Sequence, residues 1–195
     1  MEFFYFHSFT LHMQTFILIW LLSWQSVQQQ PPSIPWSETR KLSWDDFKAR
    51  PDAASANAAM TNSIINIEFN FDDTSLDYTI SCRFDKNRSW VKVRTAPVLQ
   101  HEQGHFDIAE IFARKLAKEM KGYRFNPGTV QNDVNNIYDR IMAVYQKQQQ
   151  LYDQETDFSR NKEKQAEWLS KITNDLKSLE AFAGYGKQQV ISIKK

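Results

Sequence analysis

Apolar and polar positions alternate along two neighbouring segments in the first half of the chain. SIINIEFNF, residues 63–71, and LDYTISCRF, residues 76–84, place large apolar side chains at every second position and are separated by DDTS. A period of two is typical of a β-strand with one covered face, so the two segments predict an antiparallel hairpin. We predict a third strand at Ser89–Val93, after the turn DKNR.

From Pro97 onward the apolar spacing changes to three and four, which is the period of an α-helix. The residues of this first helical face are Val98, His101, His105, Ile108, Phe112 and Leu116. Gly122 is expected to end the helix. A second helix is predicted to open at Asn126 and Pro127. Its predicted inward face consists of Val130, Val134, Ile137, Ile141, Val144, Gln148 and Leu151.

A third helix is predicted near the C-terminus, with Trp168, Ile172, Leu176 and Leu179 inward, ending near Gly184. Together these patterns predict the fold class α+β, in which a small antiparallel sheet of about three strands packs with three main helices.

The N-terminal residues have a different character from the rest. TFILIWLLSW, residues 15–24, is an apolar run too short to span a bilayer, and QQQPPSIP follows shortly after it. We interpret residues 1–27 as a secretory signal peptide. An uncleaved membrane anchor is the alternative, because no lysine or arginine precedes Arg40. Residues 28–40 are predicted to be a linker, 41–186 the folded domain and 187–195 a C-terminal tail. A secreted or periplasmic location in the cell envelope follows.

The composition of the chain excludes some classes of partner and of metal site. The 24 basic and 23 acidic residues give a formal charge of +1, which does not favour nucleic acid as a partner. Cys82 is the one cysteine, so an internal disulfide and a thiol-rich zinc cluster are excluded. We interpret Cys82 as a small core residue.

The first predicted helix carries the candidate chemistry, in LQHEQGHFDIAE, residues 99–110. A helix turns about 100° per residue, so His101 and His105 lie about 40° apart around its axis and can reach one ion. Glu102 can contact a water on that ion. Two imidazoles and an adjacent carboxylate in H-E-x-x-H are the pattern of a zinc site with a general base. The alternative is that both histidines are hydrogen-bonded to other groups of the protein and bind no metal.

A catalytic zinc requires a third protein ligand. Of the four histidines, His7 and His12 lie in the predicted signal segment, so the third ligand must be a carboxylate, Cys82 or a group from outside the chain. Glu110 lies about 180° round the helix from His101, and Asp107 is also rotated away.

We favour Glu155 as the third ligand, with Asp157 as the alternative. Both lie in YDQETDFS, at the junction of two predicted helices. Helix capping and surface charge are the competing explanation for both side chains.

Four segments resemble DUF922, a bacterial group of predicted secreted zinc-dependent proteases. They are LSWDDFKARPD, FDKNRSWVKV, LQHEQGHFDIAEIFARKL and YDQETDFSRNKEKQAEW. The resemblance implies a zincin-like domain with His101 and His105 as zinc ligands and Glu102 as general base. The late motif of the family resembles E-T-x-H, and Phe158 stands here at the position of that histidine. A carboxylate substitute or a weakened metal site is the consequence.

The leading hypothesis is a secreted zinc metallopeptidase of the HExxH type. Its partner is a peptide or protein substrate, aligned by edge pairing with a strand such as Ser89–Val93. Membrane contact is expected only through an uncleaved anchor. The alternative is a non-catalytic envelope binding protein with a degenerate site, which Phe158 favours. Hydrolysis of a cell-wall amide by the same metal chemistry is a third possibility.

Overall fold

The computed structural model describes residues 32–193, so the predicted signal segment 1–27 lies outside the described residues. The predicted hairpin is the centre of the main sheet. β3 (Ser63–Phe71) pairs antiparallel with β4 (Ser75–Asp85), with Ile65 opposite Cys82. The side chains of β4 alternate between buried and half-buried, because one face of the sheet is covered by helices. Cys82 lies in this buried face, as predicted.

Two short strands complete the sheet along the other edge of β4. β1 (Ser33–Pro35) pairs with residues 83–85, and β6 (Gln189–Ser192) pairs with residues 75–78. The described part of the sheet therefore has four strands rather than about three. The predicted linker 28–40 contains β1 and the predicted tail 187–195 contains β6. These short segments lack a long alternating pattern, and pairing with β4 is what orders them.

The predicted third strand belongs to a separate ribbon. β5 covers only Trp90–Val91, and it pairs with β2 (Ala59–Met60) instead of joining the main sheet. Ser89 is fully buried, and its hydroxyl donates to the backbone carbonyl of Asp85 (2.7 Å). This side-chain bond turns the chain away from β4, so Ser89–Val93 cannot continue the sheet.

The described residues contain three α-helices, α1 (Ala96–Gly122), α2 (Val130–Thr156) and α3 (Lys162–Ser178), followed by a 3-10 segment at Glu180–Gly186. α1 packs on the covered face of the sheet and the other two α-helices pack on α1, which confirms the α+β class. α1 contacts α2, α3, β3 and β4, so most of its circumference is buried. Within residues 32–193, no helix combines the length and the apolar character needed to cross a membrane.

The buried face of α2 differs from the prediction in its second half. Val144 and Leu151 are exposed, whereas Tyr145 and Tyr152 are buried. The stripe continues from Ile141 through the aromatic residues, because tyrosines fill the space against α1. This shift by one residue determines which polar side chains of α2 face the histidines of α1.

Candidate metal centre

His101 and His105 lie in the first half of α1, beside the end of α2. Pro97 occupies the first turn of α1, where its missing N–H costs nothing. The two imidazole rings are one helical turn apart, with centroids separated by 4.7 Å and planes nearly perpendicular. His101 is 3% exposed, so its ring nitrogens must find partners inside the protein.

Asp153, on α2, meets both histidines with one carboxylate oxygen. Its Oδ1 atom lies 3.1 Å from Nε2 of His101 and 2.9 Å from Nε2 of His105, and the two Nε2 atoms are 3.1 Å apart. In tetrahedral zinc sites with bonds of about 2.0–2.1 Å, the ligand atoms are about 3.3 Å apart. The triangle therefore fits the donor spacing of a zinc ion to within a few tenths of an ångström, and these three residues form the one cluster of this kind among residues 32–193.

Two glutamines determine which nitrogen of each ring faces Asp153. Oε1 of Gln165, on α3, accepts from Nδ1 of His101 (2.9 Å), and Oε1 of Gln149, on α2, accepts from Nδ1 of His105 (2.6 Å). The amide nitrogen of Gln149 donates to the backbone carbonyl of His105 (2.9 Å), which fixes the orientation of its amide. A neutral imidazole with its proton on Nδ1 presents a lone pair on Nε2.

While both imidazoles are neutral with the proton on Nδ1, the cluster has three electron-pair donors and no proton between them. Two imidazole lone pairs and the Asp153 carboxylate converge within about 3 Å, so a cation or an added proton must balance them. Burial lowers the pKa of His105, but the hydrogen bond to Asp153 and the charges of Glu102 and Asp153 outweigh it and raise the pKa. Burial likewise opposes ionisation of Asp153, yet both histidines hold its pKa well below the usual range. The cluster is therefore built to hold positive charge.

Tyr152 supports His101 from the opposite side. Its ring stacks on the imidazole with centroids 4.6 Å apart, and its hydroxyl donates to the backbone carbonyl of His101 (3.2 Å). The amide nitrogen of Gln165 donates to the same hydroxyl oxygen (2.6 Å). Burial raises the pKa of Tyr152, which keeps the hydroxyl protonated as a donor. His101 is thus held in position by its ring face, its Nδ1 atom and its backbone.

Glu102 lies beside the cluster without a partner of its own. It is 3% exposed, and its Oε2 atom is buried with no hydrogen bond. It lines a cavity of about 230 Å³ together with His101, His105 and Asp153. A buried, unpaired carboxylate oxygen is costly unless a ligand or water donates to it.

The structure therefore brings His101, Glu102 and His105 together, but not the predicted third ligand. Glu155 accepts a hydrogen bond from Nε1 of Trp168 (2.7 Å), and Asp157 is paired with Arg160. Neither lines the cavity. α2 continues to Thr156 instead of ending before Glu155, so Glu155 faces away from the side that carries Asp153.

The sequence does not predict Asp153 as a ligand, because its aliphatic pattern places the inward face of α2 one residue away from the observed face. A stripe through Ile141, Tyr145, Gln149 and Tyr152 places Asp153 next to α1, whereas a stripe through Val144 and Leu151 does not. The signal in the sequence is the polar pair Gln149 and Asp153, four residues apart beside two tyrosines.

Phe158, where the resemblance in the sequence implies a histidine, lies on the wall of the same cavity. It belongs to a left-handed segment in which Asp157, Phe158 and Ser159 have φ of 47°, 51° and 75°. This conformation is sparsely populated by residues other than glycine and turns the chain sharply after α2. Residues 57–63, which include β2, also line the cavity, whereas the predicted substrate strand Ser89–Val93 does not.

The fold and the site define an α+β domain with a partly buried His–His–Asp cluster beside an unpaired glutamate. The model of the family described as "Bacterial protein of unknown function (DUF922)" matches residues 28–160, and the chain belongs to this family. The matched stretch includes all three residues of the cluster and Glu102, but it ends before Gln165. No curated protein and no solved structure matches the chain.

Proposed function

We propose that the protein is a zinc-dependent peptidase of the cell envelope or the extracellular space. The observation that carries the proposal is the convergence of three lone-pair donors, from His101, His105 and Asp153, next to the unpaired carboxylate of Glu102. A structural zinc site is usually closed by four protein ligands, whereas a catalytic site has three and an open position. Three donors on the wall of a cavity correspond to the open arrangement.

Each residue of the cluster has a defined role in the proposed reaction. A zinc ion bound by His101, His105 and Asp153 would supply Lewis-acid polarisation of the scissile carbonyl and lower the pKa of a water molecule towards about 7. Glu102 accepts the proton of the attacking water and returns it to the leaving amine. Because Glu102 has no internal partner, its carboxylate is free for this transfer.

Asp153 also bears on the competing idea of a degenerate, non-catalytic site. That idea depends on Phe158 replacing a ligand, with no other donor available. Asp153 supplies a third donor from the preceding turn of α2, so the donor set of this chain is complete without a histidine at 158. This favours an active enzyme over a binding protein.

The test combines metal analysis with hydrolysis. We expect the purified protein to bind one zinc per chain and to cleave a denatured, fluorescently labelled protein in a reaction that a chelator abolishes. Glu102→Gln should retain zinc and lose at least about a hundredfold in rate, the usual contribution of a general base. Glu119→Gln, an exposed change on the same helix, is the matched control. Equal rates for Glu102→Gln and the wild type would overturn the proposal.

A further inference from the structure

The cavity beside the cluster is lined by more polar than apolar side chains, and neutral polar side chains are the largest group. Besides Gln149, these are Asn57, Thr61, Asn62, Ser63, Gln146 and Ser159. Its charged lining residues are the two carboxylates Glu102 and Asp153 and the two histidines; no lysine or arginine of residues 32–193 lines it. Ligand pockets are more often lined by apolar and aromatic groups with a few polar ones. This cavity has the opposite balance.

Unpaired polar atoms are concentrated at the same place. Within residues 32–193, the buried side-chain oxygens and nitrogens without a hydrogen-bond partner are Oδ1 of Asn62, Oγ of Ser63 and Oε2 of Glu102. All three residues line this cavity. A buried polar atom without a partner destabilises the protein, and native proteins contain few such atoms. Their common location indicates that a ligand supplies the missing partners.

Asn62 and Ser63 are held by their backbones, which leaves their side chains available. The N–H of Asn62 donates to Oγ of Ser89 (2.9 Å), and its carbonyl accepts from the N–H of Asp85 (2.8 Å). Ser63 is the first residue of β3 and lies opposite Phe84 in the sheet. The backbone that carries the carboxamide and the hydroxyl is therefore fixed before any substrate arrives, and such preorganisation favours specific binding.

We propose that this wall selects substrates with a neutral carboxamide or hydroxyl side chain next to the scissile bond. The proposal rests on the proposed peptidase function and names its substrate class. A substrate carboxamide or hydroxyl can donate to Oδ1 of Asn62 and exchange a hydrogen bond with Oγ of Ser63. An aliphatic or aromatic side chain would leave both atoms unpaired.

The size of the cavity and the charges that line it also favour a small neutral side chain of the substrate. A cavity of about 230 Å³ is below the roughly 300–1,000 Å³ of ligand pockets, so it accommodates a single side chain rather than a folded segment. The proposed divalent cation would balance the two carboxylates, and no lysine or arginine of the described residues lines the cavity to bind an acidic side chain. A neutral polar group satisfies both conditions.

The experiment uses the zinc-loaded full chain and capped hexapeptides of glycine and alanine with one variable residue. That residue is Asn, Ser, Leu, Phe, Asp or Lys. We expect kcat/KM for the Asn and Ser peptides to exceed that for the Leu and Phe peptides by about tenfold or more, as one recovered buried hydrogen bond implies. Asn62→Asp should shift the preference to the Lys peptide. Asn70→Asp, an exposed change in β3 outside the cavity, should not.

A second measurement distinguishes the proposed substrate selectivity from the proposed peptidase activity. The zinc-loaded Glu102→Gln protein is titrated calorimetrically with the same peptides, and we expect the same order of affinities without cleavage. Hydrolysis of all peptides at similar rates, or fastest hydrolysis of the Leu or Phe peptide, would overturn the selectivity and leave the peptidase intact. Selective binding without hydrolysis by the wild type would support the selectivity and overturn the peptidase. Neither binding nor hydrolysis would overturn both.

Discussion

Gly104 lies against the ring of Tyr152, so closely that a β-carbon on Gly104 would overlap the tyrosine hydroxyl and come within 2.8 Å of Cζ. The tyrosine cannot retreat easily, because its ring stacks on His101 and makes an edge contact with Trp168, and its hydroxyl is bonded to Gln165. The glycine inside H-E-Q-G-H is therefore a requirement of the contact between α1 and α2.

Gly104→Ala should damage the metal centre through Tyr152. Overpacking of this contact is expected to lower the free energy of unfolding by about 1–3 kcal/mol. Displacement of the ring from His101 should also weaken zinc binding by about tenfold or more, the usual effect of disturbing a group that orients a ligand. Urea unfolding and competition with a chromophoric chelator measure the two effects.

Gly122→Ala is the matched control for this change, because it is on the same helix and a β-carbon there would meet nothing within 4 Å. It should leave zinc affinity unchanged. Wild-type stability and wild-type zinc affinity in Gly104→Ala would contradict the role assigned to the contact.

Asp153→Asn tests the third donor. The amide keeps the shape of the side chain but removes the charge that would balance the cation. Zinc affinity should therefore fall by at least about a hundredfold, which exceeds the usual effect of changing a residue that only hydrogen-bonds a metal ligand. Glu155→Gln should leave zinc affinity unchanged, because Glu155 is bonded to Trp168 and does not line the cavity. Isothermal titration with zinc checks both variants. Loss of zinc from Glu155→Gln, with retention by Asp153→Asn, would restore the assignment made from the sequence.

Asp46 is expected to make part of the stability dependent on pH. Burial raises the pKa of Asp46, but hydrogen bonds from Arg40 and Ser43 and the charge of Arg40 outweigh it and leave the pKa below 3.8. A lowered folded-state pKa stabilises the protein above the unfolded value, and that stabilisation is lost as the pH falls through the folded value.

Asp46→Asn should therefore be less stable than the wild type at pH 7, by about 1 kcal/mol, because Arg40 is partly exposed and its charge is screened. The difference should shrink as the pH falls below about 3.8. Urea unfolding at pH 7, 5 and 3.5 follows it, with the exposed neighbour change Asp45→Asn as control. A difference between wild type and Asp46→Asn that grows on acidification would contradict the assigned sign.

The sequence predicted the elements that have long periodic patterns. The hairpin of β3 and β4 and the helix that carries His101 and His105 follow from spacings of two and of three to four. β1 and β6 were missed because strands of three and four residues contain too few positions to show a period. Their place in the sheet depends on the free edge of β4, which is a tertiary property.

The site was predictable on α1 and not on α2, for a related reason. One helical turn fixes the relative positions of His101, Glu102 and His105, and their spacing in the sequence is enough to predict it. Asp153 reaches them only through the packing of two helices, and a stripe containing Tyr145 and Tyr152 competed with one of aliphatic residues. Tyrosine is amphipathic, so its inward position was decided by the fit against α1 rather than by hydrophobicity.

Gln165 has a practical consequence for work with shortened versions of the protein. From α3, its side chain accepts the hydrogen bond of Nδ1 of His101. The stretch shared with the family ends at residue 160, before α3 begins at Lys162. A fragment trimmed to the shared stretch would leave one imidazole without its orienting amide and would strip β6 from the sheet. Boundaries for crystallisation or NMR samples should therefore run from before Ser33 to beyond Ser192.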